Sequence, residues 1–293
     1  MRAAETMMNY LRLVDEQKIG DLFPNRPPAG ALEASGVLAM DGMFYVVFDN
    51  RTDVARLADD LSANRMNGLF GMAHGRRGYE CITYNPYKQR FYLLIESRKT
   101  RSGKYRPEIF EYGESLAYLK HRRIDFLFES ENKGFEALVY MRRKRRDYVL
   151  ALCEGNKCKS GSAGKEPGGG RIQLFVKNRR IWTHLGTIKL PKSVAFNDYS
   201  AMAVDGDRVA VVSQENALLW IGVFQEQRWS WRDDGQTYSF PRTENGSILY
   251  GNVEGVSWIA QNRIVAVSDR IKESQTPDMG SKDQSIHIFD IPT

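Results

Sequence analysis

One short motif recurs five times along this chain of 293 residues, and the repetition constrains the fold more than any other feature. Each copy has Ser or Glu, then a small residue, then an apolar residue. Successive copies lie about 45 to 64 residues apart, a period typical of propeller and solenoid repeats. The five segments are Ala34-Ser-Gly-Val-Leu-Ala, Tyr79-Glu-Cys-Ile-Thr-Tyr, Phe135-Glu-Ala-Leu-Val-Tyr, Tyr199-Ser-Ala-Met-Ala-Val and Val253-Glu-Gly-Val-Ser-Trp.

Each motif begins a series of short strands. A polar turn such as Asp41-Gly42 or Asn85-Pro86 follows it, and then a second strand rich in β-branched and aromatic residues. Third and fourth strands follow in most copies, which makes each unit a four-stranded meander. The sequence therefore predicts an all-β fold, a five-bladed β-propeller of antiparallel blades in one domain over residues 1–293. The predicted blades cover approximately residues 30–75, 76–130, 131–192, 193–245 and 246–293.

The last unit contains only three strands and ends with Ser285-Ile-His-Ile-Phe-Asp. The N-terminal stretch 8–20, which includes Tyr10-Leu-Arg-Leu-Val, is expected to supply the missing strand. Pairing of the two chain ends would close the ring and remove exposed sheet edges.

The first residue of each motif is expected to face the propeller axis, because the innermost strands line the central channel. Three carboxylates meeting there would either take up a proton or share a cation. Ligands that are all oxygen favour Ca²⁺ over Zn²⁺. The sequence thus predicts an axial Ca²⁺, and the alternative is that these side chains cap strands or bond to neighbouring backbone. The predicted metal ligands are Ser35, Glu80, Glu136, Ser200 and Glu254.

Acidic residues end the second strands, at the same face of the predicted propeller. They are Asp49, Glu96, Glu154, Glu215 and Asp269. Basic residues in the loops that leave this face suit a small phosphorylated ligand, since Arg and Lys clamp phosphate oxygens. Ordinary solvated loops are the alternative. The predicted ligand-binding residues are Glu33, Arg51, Arg98, Glu154, Glu215, Asp269 and Arg270.

Composition narrows the partners and the compartment. The net charge of +6 favours anionic ligands in a general way and is too small to predict nucleic acid. No apolar run approaches the length of a membrane span, and the N-terminus lacks an apolar signal core, so a cytoplasmic monomer is expected. In that compartment Cys153 and Cys158 are predicted to be free thiols, with a disulfide as the alternative under oxidising conditions.

The axial order Ser, Glu, Glu, Ser, Glu resembles that of the calcium-activated nucleotidases (apyrases), as do Glu33-Ala-Ser35 and Asp49-Asn-Arg-Thr52. This resemblance implies a five-bladed propeller with one axial Ca²⁺. The acidic Asp-Leu-Asp motif that the family carries ahead of its first blade is absent here. The Glu-Gly-Val segment at Glu254 and the Val-Ser-Asp segment at Ser268 also resemble phytase-like and SdiA-regulated propellers.

Two main functions remain open from the sequence. The first is a Ca²⁺-dependent hydrolase of a phosphorylated small molecule such as a nucleotide, with Asp49 or Glu96 as general base and Arg51 and Arg98 stabilising phosphate charge. The second is a non-catalytic propeller with a structural Ca²⁺ that binds a ligand or protein. Lactone or ester hydrolysis would need a Ser–His pair, and the sequence contains no Gly-x-Ser-x-Gly motif.

Overall fold

The computed structural model describes residues 9–24, 30–71, 78–130, 134–272 and 275–292, except for the side chains of Glu96 and Ser97. Its regular structure is almost entirely β. Helical structure in the described residues is limited to one turn of α-helix, α1 (Gly161–Gly164), and three 3₁₀ segments. The strands are β1 (Asn9–Tyr10), β2 (Arg12–Lys18), β3 (Ala34–Met40), β4 (Met43–Phe48), β5 (Val54–Ala58), β6 (Gly68–Phe70), β7 (Cys81–Asn85), β8 (Arg90–Lys99), β9 (Tyr105–Tyr112), β10 (Tyr118–Ile124), β11 (Phe135–Arg143), β12 (Arg146–Cys153), β13 (Arg171–Asn178), β14 (Ile181–Lys189), β15 (Ala201–Asp205), β16 (Arg208–Ser213), β17 (Leu218–Val223), β18 (Gln236–Ser239), β19 (Val253–Ala260), β20 (Arg263–Ser268) and β21 (Ser285–Asp290). The 3₁₀ segments are Ile19–Leu22, Asn156–Cys158 and Pro277–Lys282.

The strands form antiparallel meanders in the order β3-β4-β5-β6, β7-β8-β9-β10, β11-β12-β13-β14, β15-β16-β17-β18 and β19-β20-β21. A parallel pair between β10 and β14 joins the second and third meanders into one eight-stranded sheet. The first strands of the meanders, which we call the inner strands, contact one another in the cyclic order β3, β7, β11, β15, β19 and back to β3. This is the arrangement of a β-propeller, and it confirms the predicted all-β propeller fold.

The N-terminal segment closes the ring. Strand β2 pairs antiparallel with β21, so that Leu13 lies opposite Phe289 and Gln17 opposite Ile286. Just before it, β1 pairs parallel with β18 of the neighbouring sheet. The chain start therefore supplies the fourth strand of the last meander, as the sequence predicted, and also connects that meander to the one before it.

The small residue of the motif is explained by close packing of the inner strands. A Cβ on Gly255 would lie 2.8 Å from the Cα of Gly36, and a Cβ on Gly36 would lie 3.0 Å from the Cα of Cys81. Both distances are shorter than ordinary van der Waals contact. Larger side chains at these positions would push neighbouring inner strands apart.

The apolar core lies between adjoining meanders. In one cluster, Val46 and Phe48 of β4 pack with Val265 and Val267 of β20, and all four are fully buried. The second strand of each meander is thus covered on both faces. This explains the nearly continuous apolar runs that the sequence shows in these strands.

The prediction of free thiols at Cys153 and Cys158 is wrong. The two residues form a disulfide, with their Cα atoms 5.2 Å apart. The cause is local: β12 ends at Cys153, and the following 3₁₀ segment turns back and brings Cys158 within the separation that a disulfide requires. The third cysteine, Cys81, is a buried free thiol.

A search of the described residues for membrane spans finds no helix of the necessary length and apolarity.

Candidate acidic site at the mouth of the ring

The motif residues lie at irregularities of the inner strands. The pairing register of β3 with β4 shifts at Ser35, that of β11 with β12 at Glu136, and that of β19 with β20 at Glu254. Each of these residues is an extra residue in its strand, which is the definition of a β-bulge. Bulges turn a side chain away from the regular alternation and often lie beside functional sites.

The two motif serines connect neighbouring inner strands. The hydroxyl of Ser200 donates to the backbone carbonyl of Val253 at 2.7 Å, and the hydroxyl of Ser35 donates to the carbonyl of Tyr79. Each acceptor is the residue just before the motif Glu of the next inner strand in the ring. The serines therefore hold the strands that carry Glu80 and Glu254, a backbone role of the kind the sequence left open as the alternative to metal binding.

Five carboxyl groups form what we call the acidic cluster, and all five were predicted from the sequence. Asp49 shares a side-chain hydrogen bond with Glu33. The pKa of Asp49 is raised to about 7, and the largest cause is burial, because the surrounding protein displaces water. The charges of Asp269 and Glu33 add to the shift. Asp49 still reaches solvent at the mouth, so its like-charged neighbours are the distinctive feature of its environment. The members of the cluster are Glu33, Asp49, Glu136, Glu254 and Asp269.

Two further members have raised pKa values for the same reasons. Burial raises the pKa of Glu254 well above its ordinary value, and the charges of Asp269 and Glu136 add to the shift. Burial, together with the charge of Glu33, raises the pKa of Asp269 to about 6, although the backbone N–H of Arg270 opposes the shift. These carboxyl groups therefore hold protons more tightly than isolated ones.

Positive charge at the acidic cluster is sparse. The guanidinium of Arg270 lies 4.0 Å from a carboxylate oxygen of Glu33, and the ammonium of Lys272 lowers the pKa values of Asp49, Glu254 and Asp269 only in part. One oxygen of Asp269 is shielded from solvent and has no hydrogen-bond partner among the described residues. The described cations thus offset the charges of Asp49, Glu254 and Asp269 only in part.

Repeated backbone contacts hold the acidic residues at the mouth. The N–H of Asp49 donates to the carbonyl of Glu33 at 3.0 Å, and the N–H of Asp269 donates to that of Asn252 at 2.8 Å. Each acceptor lies two residues before a motif residue. The last residue of a second strand is therefore fixed against the start of its own inner strand, which explains why acidic strand ends collect here.

Two other predicted residues belong to a second acidic group. Glu154 and Glu215 line a small cavity with Asp198, whose pKa is raised to about 6 mainly by burial, against the hydrogen bond from Ser213. Lys165 pairs with Glu215 at 3.2 Å. Sequence reasoning missed Asp198, although it lies two residues before the motif Ser200, the repeat position that Glu33 occupies before Ser35.

The remaining predicted residues lie elsewhere. Both guanidinium contacts of Arg51 go to Asp53, at 2.9 and 2.8 Å, so this arginine is already paired. Arg98 lies on β8, the second strand of the second meander, and lines a separate cavity. Burial raises the pKa of the Cys81 thiol, and the charges of Glu80 and Glu136 add to the shift, so both carboxylates lie near this thiol. The side chain of Glu96 lies outside the described part of the structure.

The donor set of the acidic cluster suits a hard cation, because every available group is an oxygen. The positions of these groups fit a bound metal ion less well than their chemistry does. Within the described ranges, no three His, Cys, Asp or Glu side chains converge in a way that could hold a metal ion. A cation at this site would therefore require the carboxyl groups to draw together.

A Ser–His–Glu chain begins at Ser268, the residue directly before Asp269 of the acidic cluster. The hydroxyl of Ser268 lies 3.0 Å from Nε2 of His287, and Nδ1 of His287 lies 3.1 Å from a carboxylate oxygen of Glu16. Ser268 and His287 are fully buried, so no substrate reaches the hydroxyl. Because Glu16 lies on β2, the chain joins the N-terminal strand to β20 and β21. These hydrogen bonds therefore help to close the ring, and they give no support to lactone or ester hydrolysis.

No protein-family model and no curated protein matches this sequence. The fold is similar to that of glutaminyl cyclase from Myxococcus xanthus, with a TM-score of 0.56 and 10% identity over 97% of this chain and 98% of that chain. It is also similar to a GH43_1 enzyme from Xanthomonas citri (TM-score 0.52, 10% identity, 92% of each chain). A third similar structure is the PQQ-bound aldose sugar dehydrogenase from Streptomyces coelicolor (TM-score 0.50, 10% identity, 94% and 98%). At this identity the likeness shows the propeller-type fold alone.

Proposed function

We propose that the acidic cluster binds a divalent cation, with Ca²⁺ as the first candidate. The observation that carries the proposal is the group of carboxyls at Asp49, Glu254 and Asp269, whose pKa values are all raised and whose charges repel one another. A cation placed among them would remove that repulsion. Perturbed carboxyl groups at the mouth of a channel are also a common mark of a functional site.

The residues proposed to hold the cation differ in part from those predicted by the motif alone. Asp49, Glu136, Glu254 and Asp269 are the candidate ligands, with Glu33 and Arg270 completing the rim. Ser35 and Ser200 use their hydroxyl protons on neighbouring carbonyls, so we assign them to strand positioning. Bound Ca²⁺ would supply charge neutralisation at the axis.

The cation site is proposed within a ring of five blades that form one domain over residues 1–293. The five inner strands in cyclic contact support this number, and β2 would complete the last blade. In this arrangement Glu33, Asp49, Glu254 and Asp269 belong to the first and last blades, and Glu136 belongs to the third. The site would therefore depend on closure of the ring.

The experiment is a Ca²⁺ titration of the unfolding temperature after treatment with a chelator. Ca²⁺ that binds only the folded protein should stabilise it by about 2.7 kcal/mol at roughly 100 times its dissociation constant. Glu136→Ala should abolish this stabilisation. Glu215→Ala, which removes a carboxylate of the second acidic group, is the matched control and should leave it unchanged. Absence of any Ca²⁺ effect on the wild-type protein would refute the proposal.

A second candidate function is hydrolysis, with phosphorylated small molecules as the predicted substrate class. The hydrogen-bonded pair of Asp49 and Glu33 favours it, because a carboxyl group with a pKa of about 7 can take up and release a proton near neutral pH. Asp49 would act as general base, in line with the sequence prediction, and Glu136, Glu254 and Asp269 would then be the ligands of the cation. Arg51 is engaged with Asp53, so Arg270 is the nearer candidate for contact with an anionic substrate.

The hydrolytic function is tested by a phosphate-release screen, with and without Ca²⁺, over nucleotides and sugar phosphates. Activity that Asp49→Asn abolishes while the protein remains folded would support it. A protein that Ca²⁺ stabilises but that releases no phosphate from any of these compounds would refute it, and a non-catalytic propeller with a structural cation would then be the better description.

A further inference from the structure

A second charged site lies on the second, third and fourth strands of the second meander, and its lining contains no member of the acidic cluster. Strands β8, β9 and β10 and the turn between the first two surround a cavity of about 530 Å³. This volume lies within the range of small-molecule sites in proteins. Its charged lining consists of Arg98, Lys99, Arg101, Arg106, Arg123 and Glu108.

The pairing register places three of the arginines on one face of the sheet. Arg98 lies directly opposite Arg106 in the β8–β9 pair, and Arg123 lies opposite Glu108 in the β10–β9 pair. Arg106 and Glu108 are two residues apart on β9, so their side chains share that face. Like charges directly opposite each other destabilise a sheet unless something neutralises them.

Among the cavity-lining residues that the structure describes, Glu108 is the one carboxylate against five basic residues. Glu108 approaches Arg98 only to 3.6 Å, and one oxygen of Glu108 has no hydrogen-bond partner within the described ranges. The Nε of Arg106 likewise lacks an acceptor there. Lys104 of the same turn pairs outside the cavity with Glu129 at 3.0 Å. The cavity therefore carries a net positive charge, with Glu108 as one acceptor among its donors.

Packing holds part of this arrangement in place. The guanidinium of Arg98 lies over the ring of Phe110, 5.8 Å from its centroid, which restricts the side chain by a cation–π contact. The turn is closed by hydrogen bonds from the N–H of Thr100 to the carbonyl of Lys104 at 2.7 Å and from the N–H of Gly103 to the carbonyl of Thr100 at 3.0 Å. Gly103 has φ +83°, a conformation that favours glycine.

We propose that this cavity binds the phosphate group of a small phosphorylated molecule. Arginines offer paired N–H donors that match phosphate oxygens, and a dianion would neutralise the facing Arg98 and Arg106. The cavity also leaves room for an organic portion beside the phosphate. This site contains none of the proposed cation ligands, so the proposal does not depend on Ca²⁺ binding.

The experiment is calorimetric titration of the full-length, chelator-treated protein at low salt with inorganic phosphate, with adenosine 5′-monophosphate and with adenosine. Both phosphate compounds should bind and adenosine should not. Arg98→Gln with Arg123→Gln should weaken binding roughly tenfold or more, because hydrogen bonds to a charged ligand are lost. Arg180→Gln, which removes an exposed charge from the turn between β13 and β14, should leave binding unchanged.

The outcomes separate this proposal from its competitors. No binding of either phosphate compound to the wild-type protein would overturn it. Equal weakening by Arg180→Gln would overturn it as well, because the effect would then come from net charge. Binding of a single-stranded oligonucleotide without binding of the mononucleotide would replace it with a nucleic-acid surface. If the double variant does not fold, Arg123→Gln alone provides the test, since its side chain is exposed.

Discussion

Glu111 and Asp49 carry the same functional group, but their environments shift its pKa in opposite directions. Glu111 is completely buried and accepts hydrogen bonds from Arg90, Arg122 and Lys177. Burial alone would raise its pKa, but the positive charges of Lys177 and Arg122 outweigh burial and lower it. Asp49 is partly buried and still reaches solvent, and burial followed by the charges of its carboxyl neighbours raises its pKa to about 7. Partners, rather than depth, decide which carboxylate is satisfied.

This difference distinguishes a carboxylate that holds strands together from one that we propose binds a cation. Glu111 fixes β9 to β8, β10 and β13 through its cations, and its charge is needed for the fold. In the acidic cluster, by contrast, the described cations lower the raised pKa values of Asp49, Glu254 and Asp269 only in part, which leaves a surplus of negative charge on these three residues. Such a surplus persists at sites that bind a charged partner, and this is the reason for proposing a cation there.

The largest expected effect is the loss of stability when Glu111, the buried and paired carboxylate, is replaced. Glu111→Ala should lower the free energy of unfolding by about 3 to 5 kcal/mol, because it leaves the buried cations unpaired. Urea denaturation measures the change. The matched control is Glu129→Ala, which removes a carboxylate that is 80% exposed and should cost at most about 1 kcal/mol. Equal losses for the two variants would show that Glu111 is not a structural centre.

A smaller loss of stability is expected when Glu16 is replaced. This carboxylate is partly exposed and has hydrogen-bond partners. The hydrogen bond from His287 lowers its pKa to about 2, and Lys282 contributes further. Glu16→Gln should cost about 1 to 2 kcal/mol of unfolding free energy. Because the folded-state pKa is depressed, the stabilisation is complete above the ordinary value of 4.5 and is lost as pH falls towards 2. Acid titrations of both proteins should therefore converge at low pH, and parallel curves would contradict the assignment.

The smallest effect is expected when Asp49 is replaced, and it should be a gain of stability. Asp49→Asn should raise stability at pH 8 by at most about 1 kcal/mol in the presence of a chelator, since solvent screens part of the repulsion. Asp49 has a raised folded-state pKa, so the unfolded chain releases its proton first. Wild-type stability should therefore fall as pH rises from about 4 to 7. The variant should show a shallower fall, measured as unfolding temperature against pH. A loss of stability in Asp49→Asn at pH 8 would remove the contrast with Glu111.

The sequence by itself determined the repeated strands, the propeller fold and the pairing of the N-terminus with the last meander. These follow from local patterns, because alternating apolar residues, turns and the small motif residue act over a few positions. It also located the acidic cluster, since equivalent repeat positions must meet around a ring. Glu33, Asp49 and Asp269 could be chosen because each ends or begins a repeated strand.

Only the tertiary structure decided which of these residues have partners. Arg51 is paired with Asp53, Arg98 lines an outer cavity, and Ser35 and Ser200 hold neighbouring strands. The hydrogen bond between Glu16 and His287 joins residues far apart in the chain, and no local sequence pattern predicts it. The physical reason is that charge compensation depends on distances of a few ångströms between side chains from different strands. Those distances are set only when the ring closes.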